Sequence, residues 1–332
     1  MMRGSARPPL RAYLAPSSSV AACVAVTTRR TLCVFDVATG QRRYCSARGE
    51  AYTALAQLGS SSLIIVVPRT MPRCVRLINT TDGAVLRQIN CRTAVLAVHV
   101  DRERLVVRLR TEVHVFALDT LERITTVEVS AASSGLAIGS KVVALPSARD
   151  VGSVDILEAA SLRLLSVIAA HKTDIACLAL SADGALLATA STRGTVIRVW
   201  ALADASKVAS FRRGRTQARI ATMRFSDDAR YLCVGSESAT IHVFAVGGDA
   251  SKVASRSRAV VCLQAEPGCA ACSFCAVRPE DAGNPRRQRL CVVSTRGDLA
   301  LFTLTEPSAP GAPFSARLDA EHQLDFVVGP RD

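Results

Sequence analysis

Two arginines stand side by side in "FRRG", residues 211–214, directly after the alternating stretch "KVASF". Consecutive side chains of an extended backbone point to opposite sides, so Arg212 and Arg213 address two separate pockets if the chain stays extended there. A guanidinium is a planar fork of donors that fits phosphate oxygens better than an ammonium does. Gly214 permits a tight turn immediately after the pair. The competing reading, two arginines that only solvate a rim, stays open on these four residues alone.

Other reactive side chains lack a working spacing. His99, His114, His171, His242 and His322 form no metal-ligand pattern and no nucleophile motif, which argues against an enzyme and against any cofactor. "CAACSFC" sets Cys269, Cys272 and Cys275 at the spacing of an iron–sulfur run. No fourth cysteine follows and Pro279 stands beyond it, so a buried strand of small residues, with no metal, is the preferred reading. "NPRRQR", residues 284–289, reads as a solvated loop between strands. Aromatic residues make up 4% of the chain, too few for stacking platforms, so no nucleic acid is expected as a partner.

Among the 332 residues, 49% are hydrophobic and 21% charged, a globular composition, and no apolar run reaches the length of a bilayer-spanning helix. The 12 cysteines are scattered singly through apolar runs, which points to a reducing compartment and thiols that pack as small hydrophobes rather than to a disulfide framework. A formal net charge of +13 calls for an anionic partner without saying which. Arg3, Arg7, Arg11, Arg29 and Arg30 precede the first acid, Asp36, and resemble a targeting segment in composition. The same stretch also supplies the first unit of a repeat, and that use is preferred.

The repeat consists of "TLCVFDV", "CVRLINT", "EVHVFAL", "SVDILEA", "VIRVWAL", "TIHVFAV" and "DLALFTL". Their fourth residues, Val34, Leu77, Val115, Ile156, Val199, Val243 and Leu301, lie 43, 38, 41, 43, 44 and 58 residues apart. A period near 40, with other short strand patterns and turn signals such as "TTDG" and "SADG" in between, predicts four-stranded propeller blades. The expected fold is all-β, a seven-bladed β-propeller of WD-repeat type, as one domain over residues 1–332. Approximate blades are 10–50, 51–92, 93–130, 131–170, 171–213, 214–264 and 265–325. In the fifth, "IACLALS", "ALLATAS", "TVIRVWAL" and "KVASF" read as inner to outer strands, so the arginine pair lies where the chain leaves blade 5 for blade 6. "RAYLAPS" starts the first blade and "FSARLDAEHQ" ends the last, so closure needs no strand exchanged between the termini.

Within this frame, "AHKTDIACLALSADGALLATASTRGTVIRVW", then "FRRG", then "SESATIHVF" resembles the PROPPIN family, the WIPI-like propellers. The resemblance is close over residues 170–246 and architectural elsewhere. It implies binding of phosphatidylinositol 3-phosphate and the 3,5-bisphosphate through two headgroup pockets at the rim. The first would comprise Thr189, Ser191, Gly194, Thr195, Arg198 and Arg212; the second, Arg213, Gly214, Ser236, Thr240 and His242. Hydroxyls would donate to phosphate and inositol oxygens while arginines neutralise charge. His171 is read as structural, holding a turn between blades, and Trp200 as a packed exchange for the family's phenylalanine.

The resemblance further implies a monomeric, cytoplasmic protein on phosphoinositide-containing membranes: autophagosomal precursors, endosomes, lysosomes or vacuoles. Its partners would be autophagy proteins such as the family's lipid-transfer protein. One departure stands out: the blade 6 segment "GGDASKVASRSR", residues 247–258, is short, polar and basic where the family carries a longer, partly apolar loop. Surface electrostatics are therefore expected to replace insertion. The alternative is a propeller scaffold for acidic proteins without useful lipid affinity.

Overall fold

Seven four-stranded antiparallel sheets, each a sequential meander, make up the computed structural model of the chain. It describes residues 11–14, 23–27, 31–46, 50–59, 61–238, 240–246, 259–264, 269–275, 284, 286–294, 296–306 and 314–324. The sheets span residues 11–45, 52–90, 97–128, 137–169, 175–212, 220–264 and 269–323 and are called blades 1 to 7. The described residues contain no helix.

Position within a blade follows from hydrophobic pattern. In blade 5 the second strand, Leu186–Ser191, is buried at five of its six positions because other elements cover both of its faces. The outer strand, Lys207–Arg212, is exposed except at the half-buried Ala209 and Ser210 and the buried Phe211. Strands Ile175–Leu180 and Val196–Ala201 lie on either side of the second strand.

Seven apolar clusters, one per junction, hold the blades together. At the junction of blades 5 and 6, Ile197, Phe211, Met223 and Phe244 pack together, and the rings of Phe211 and Phe244 stack with centroids 4.7 Å apart. The ring closes where Val24 and Phe35 of blade 1 meet Cys291, Leu299 and Leu301 of blade 7. Strand Arg11–Leu14 pairs within blade 1 and Ser315–Gln323 within blade 7, so among the described residues closure rests on packing and no strand is exchanged.

A sequential antiparallel meander sends its second-to-third connection, and its exit to the next blade, to the same face of the ring. Three connections around the arginine pair therefore share one face: residues 192–195 in blade 5, 213–219 between blades 5 and 6, and 237–239 in blade 6.

Two readings of the sequence are corrected, and the strand expected at "CAACSFC" is found. Cys33 and Cys45 are direct cross-strand neighbours and form a disulfide, so the cysteines are not uniformly free thiols. "CAACSFC" is a strand, and residues three apart on a strand face opposite ways: Cys272 enters the junction of blades 6 and 7, and Cys275 that of blades 7 and 1. The two thiols thus point into different packed junctions. Finally, Arg287–Ser294 is a strand rather than a loop, and Arg289 is buried near Asp319. The blade 6 segment 247–258 and most of the arginine-rich N-terminal stretch lie outside the described residues.

Phe211→Ala removes an aromatic side chain that is 1% exposed from the junction beside the arginine pair. The expected cost is about 3–5 kcal/mol of unfolding free energy, read by chemical denaturation.

Candidate functional site

Arg212 ends the outer strand of blade 5, where its backbone pairs with Val196, and its side chain is exposed. Arg213, one residue on, is 8% exposed. Strand alternation thus separates the pair as the sequence implied, one guanidinium in solvent and one inside. The Arg212 side chain makes no hydrogen bond or ion pair among the described residues.

Arg213 is held by neutral oxygens. Its Nε donates to the Gly194 carbonyl at 2.6 Å, Nη1 to Ser238 Oγ at 3.4 Å and Nη2 to the Thr216 carbonyl, while its backbone N–H donates to Thr195 O at 3.0 Å. Burial lowers its pKa, yet a guanidinium stays charged. Among the described residues no carboxylate pairs with it, so the buried cation is satisfied in hydrogen bonds but not in charge. An anion arriving here meets a preorganised positive charge in a partly desolvated setting.

Around it lies a hydroxyl chain. Ser236, fully buried, meets Ser238 Oγ at 2.6 Å, which in turn lies 3.3 Å from Thr240 Oγ1. His242 follows on the same strand, its ring stacked on Phe244 and its Nε2 3.8 Å from Cys262 Sγ. Its Nδ1 is buried without a hydrogen-bond partner. Burial, and then the charge of Arg213, hold the His242 pKa below the usual imidazole value. Arg213, Ser236, Thr240 and His242 are thus brought together, and Ser238, which sequence reasoning missed, links the arginine to the rest.

On the blade 5 side, Gly194 has φ +60°, and a Cβ there would lie 1.9 Å from the Ala218 carbonyl. Only glycine allows the connections 192–195 and 213–219 to touch. Gly214 works differently from the expected tight turn: its φ is not in the left-handed region, and a Cβ would meet nothing within 4 Å. The strand simply ends, and open space faces this residue.

Thr189 and Arg198 belong to a closed hydrogen-bond circuit. Arg198 Nη1 donates to the Ala170 carbonyl and to His171 Nδ1 at 3.0 Å, which fixes the neutral tautomer with its proton on Nε2. That proton goes to Thr189 Oγ1 at 3.0 Å; Trp200 Nε1 donates to the same oxygen at 3.1 Å, and the hydroxyl donates to Arg198 O at 3.4 Å. Thr189 is fully enclosed. Trp200 packs against the cluster between blades 4 and 5, as expected, and is also a hydrogen-bonding member of the circuit. His171 has the structural role expected of it. Ser191, buried under the turn, accepts the Gly194 N–H through its carbonyl at 2.9 Å, and Thr195 is half-buried.

The face that carries these connections is basic, with Arg69, Arg92, Arg110, Lys172, Arg193, Arg215 and Arg219 in its loops. The opposite face carries Asp82, Asp101, Asp119, Asp183, Asp204 and Asp228. The acids sit there because turns use them: Asp82, Asp101, Asp183, Asp204 and Asp228 each accept a backbone N–H within their own turn.

Comparison with known proteins identifies the family and the fold. The PROPPIN family model matches residues 45–258. Autophagy-related protein 18 of Dictyostelium discoideum is 35% identical over 241 residues, covering 70% of this chain and 64% of that protein. The chain thus spans just under two thirds of that relative's length. The crystal structure of Kluyveromyces marxianus Hsv2 superimposes with a TM-score of 0.79 at 19% identity, covering 96% of this chain and 99% of the other. A propeller from the complex of KlAtg21 with the coiled-coil of AgAtg16 does so with a TM-score of 0.76 at 21% identity, covering 96% and 100%.

The histidines generate a pH dependence. Burial, then Arg198, hold His171 at about 4, and burial, then Arg224, hold His99 at about 4. Between that value and the ordinary 6.5 the unfolded chain binds more protons than the folded one, so stability falls as pH drops from about 6.5 toward 4. His171→Gln is expected to flatten this slope in denaturant titrations at pH 7 and pH 5, with an upper bound of about 3 kcal/mol for the histidine's share.

Proposed function

The chain belongs to the PROPPIN family, and we propose that it is a non-catalytic effector that binds phosphatidylinositol 3-phosphate and 3,5-bisphosphate on membranes of autophagy or endolysosomal traffic. The observation that carries this reading is the buried Arg213, which has neutral hydrogen-bond acceptors and, among the described residues, no carboxylate, beside the unpartnered Nδ1 of His242. A phosphate group would supply the missing negative charge. Arg212 offers a second, exposed guanidinium one residue away and on the opposite side of the strand.

The first headgroup pocket takes Ser191, Gly194, Thr195, Arg198 and Arg212, with Thr189 supporting Arg198 from within the circuit. Pocket two uses Arg213, Ser236, Thr240 and His242, extended by Ser238, with the open space at Gly214 as room for the headgroup. Two weak sites on one edge gain from simultaneous engagement, since the second lipid is captured at high effective concentration once the first is bound. The basic face adds attraction to anionic lipid of about 1 kcal/mol per Lys or Arg near the surface, which salt weakens. Once docked, the propeller recruits autophagy proteins. Relatives that carry the name autophagy-related protein 18, and a structural neighbour solved with a coiled-coil of Atg16, support this part of the reading.

Flotation with liposomes that contain or lack phosphatidylinositol 3-phosphate tests the proposal. The native chain is expected to float only with the lipid, and Arg212→Thr/Arg213→Thr to remain in the bottom fraction. Flotation of both proteins on any anionic liposome, or of neither, would instead support a scaffold for acidic proteins with a generally basic rim.

A further inference from the structure

We propose that Arg213 is a strut shared by both headgroup pockets, whereas Arg212 serves the first pocket alone; this rests on the phosphoinositide reading above. The arms of the Arg213 guanidinium reach three different connections. Nε holds the carbonyl of Gly194 at 2.6 Å, on the blade 5 connection that also carries Thr195. Nη2 holds Thr216 O, in the passage between the blades, and Nη1 reaches Ser238 Oγ at 3.4 Å in blade 6. Ser238 in turn meets Ser236 and Thr240. One rigid planar group therefore ties the backbone of pocket one to the hydroxyl chain of pocket two.

The contact between the two connections is close as well as bonded. The Ala218 carbonyl lies against Gly194 so tightly that a Cβ has no room, and the Arg213 N–H is bonded to Thr195 O at 3.0 Å. The donors of a guanidinium form a fixed fork, so displacing one arm displaces the others. Arg212 has no such attachment: its side chain is exposed and makes no hydrogen bond or ion pair among the described residues.

The neighbouring arginines are thus unequal. Removing Arg212 takes away one ligand from pocket one. Removing Arg213 releases Gly194 O, Thr216 O and Ser238 Oγ together, so both pockets lose their shape. Arg213 acts on the first pocket as a positioning residue, and because the strut is common, occupancy of either pocket influences the other.

Calorimetric titration with short-chain phosphatidylinositol 3-phosphate counts the sites, and thermal melting of each variant reports whether the propeller is intact. The wild type is expected to bind two headgroups, Arg212→Thr one, and Arg213→Thr none with its cooperative melt retained. Arg213→Lys keeps the charge but cannot span three acceptors, and it is expected to lose about tenfold or more in affinity at the first pocket, within the usual range of coupling between sites. Ser238→Ala cuts only the blade 6 arm, and it is expected to weaken one site and spare the other. An Arg213→Thr protein that still binds one headgroup with native affinity overturns the strut. Should that variant fail to melt cooperatively, Arg213→Lys decides: two sites of native affinity overturn the proposal. Inorganic phosphate run in parallel separates lipid recognition from bare anion binding. A wild type that binds neither probe withdraws the phosphoinositide reading and the strut together, a result distinct from retention of one site.

Discussion

No blade of this ring can bury its own two faces. Each four-stranded sheet is apolar on both sides through its middle strands, and each side finds cover only on the neighbouring blade, through one cluster per junction. Stability is consequently a property of the closed circle, and the final junction, between blades 7 and 1, is made among the described residues by packing alone. This constraint also fixes where chemistry can reside. The junctions are committed to aliphatic and aromatic contacts, and the connections at the rim are where polar side chains from two blades can meet. At the junction of blades 5 and 6 the stacked Phe211 and Phe244 lock two blades together directly beneath such a set of connections.

Charge is treated unevenly across the ring: Arg108, like Arg213, is buried with carbonyl acceptors and no carboxylate among the described residues. Buried Arg104 has the carboxylate of Asp101 for company, and Arg289 lies near Asp319. Arg213 is given carbonyls and a hydroxyl instead. Burying a cation without an anion costs free energy, and at Arg213 the proposed phosphate would offset that cost. His242 adds to the same account from the other side: its pKa is held down by burial and by Arg213, so it is neutral when the pocket is empty, and a bound phosphate would offset the repulsion. The circuit of His171, Thr189, Arg198 and Trp200 likewise serves an arginine with neutral acceptors, and the imidazole, hydroxyl and indole donors each find one too.

Much of this was legible in the sequence because it depends on local pattern. Seven alternating segments near a period of 40 gave the blades, and the placement of "FRRG" at the end of an outer strand gave the opposite exposure of its two arginines. Contacts between connections were not legible. Ser238 looks like an ordinary loop serine until the blades bring it to Arg213, 25 residues away in sequence. Gly214 was expected to be the glycine that a turn needs, but it is Gly194 that its φ and Ala218 require. Trp200 appeared to be only a packing residue because its partner, Thr189, is set by the pairing of neighbouring strands and the reach of an indole N–H. The Cys33–Cys45 bridge was missed for a similar reason: register, rather than spacing, makes the two residues neighbours.

The most direct measurement is hydrogen–deuterium exchange of the native chain with liposomes that contain phosphatidylinositol 3-phosphate, compared with liposomes that lack it. Slowed exchange concentrated in residues 189–198, 211–219 and 236–242, with the opposite face unchanged, is the predicted result. Binding to the vesicles with no change in these three segments would contradict the account, because the membrane would then be held by some other part of the propeller.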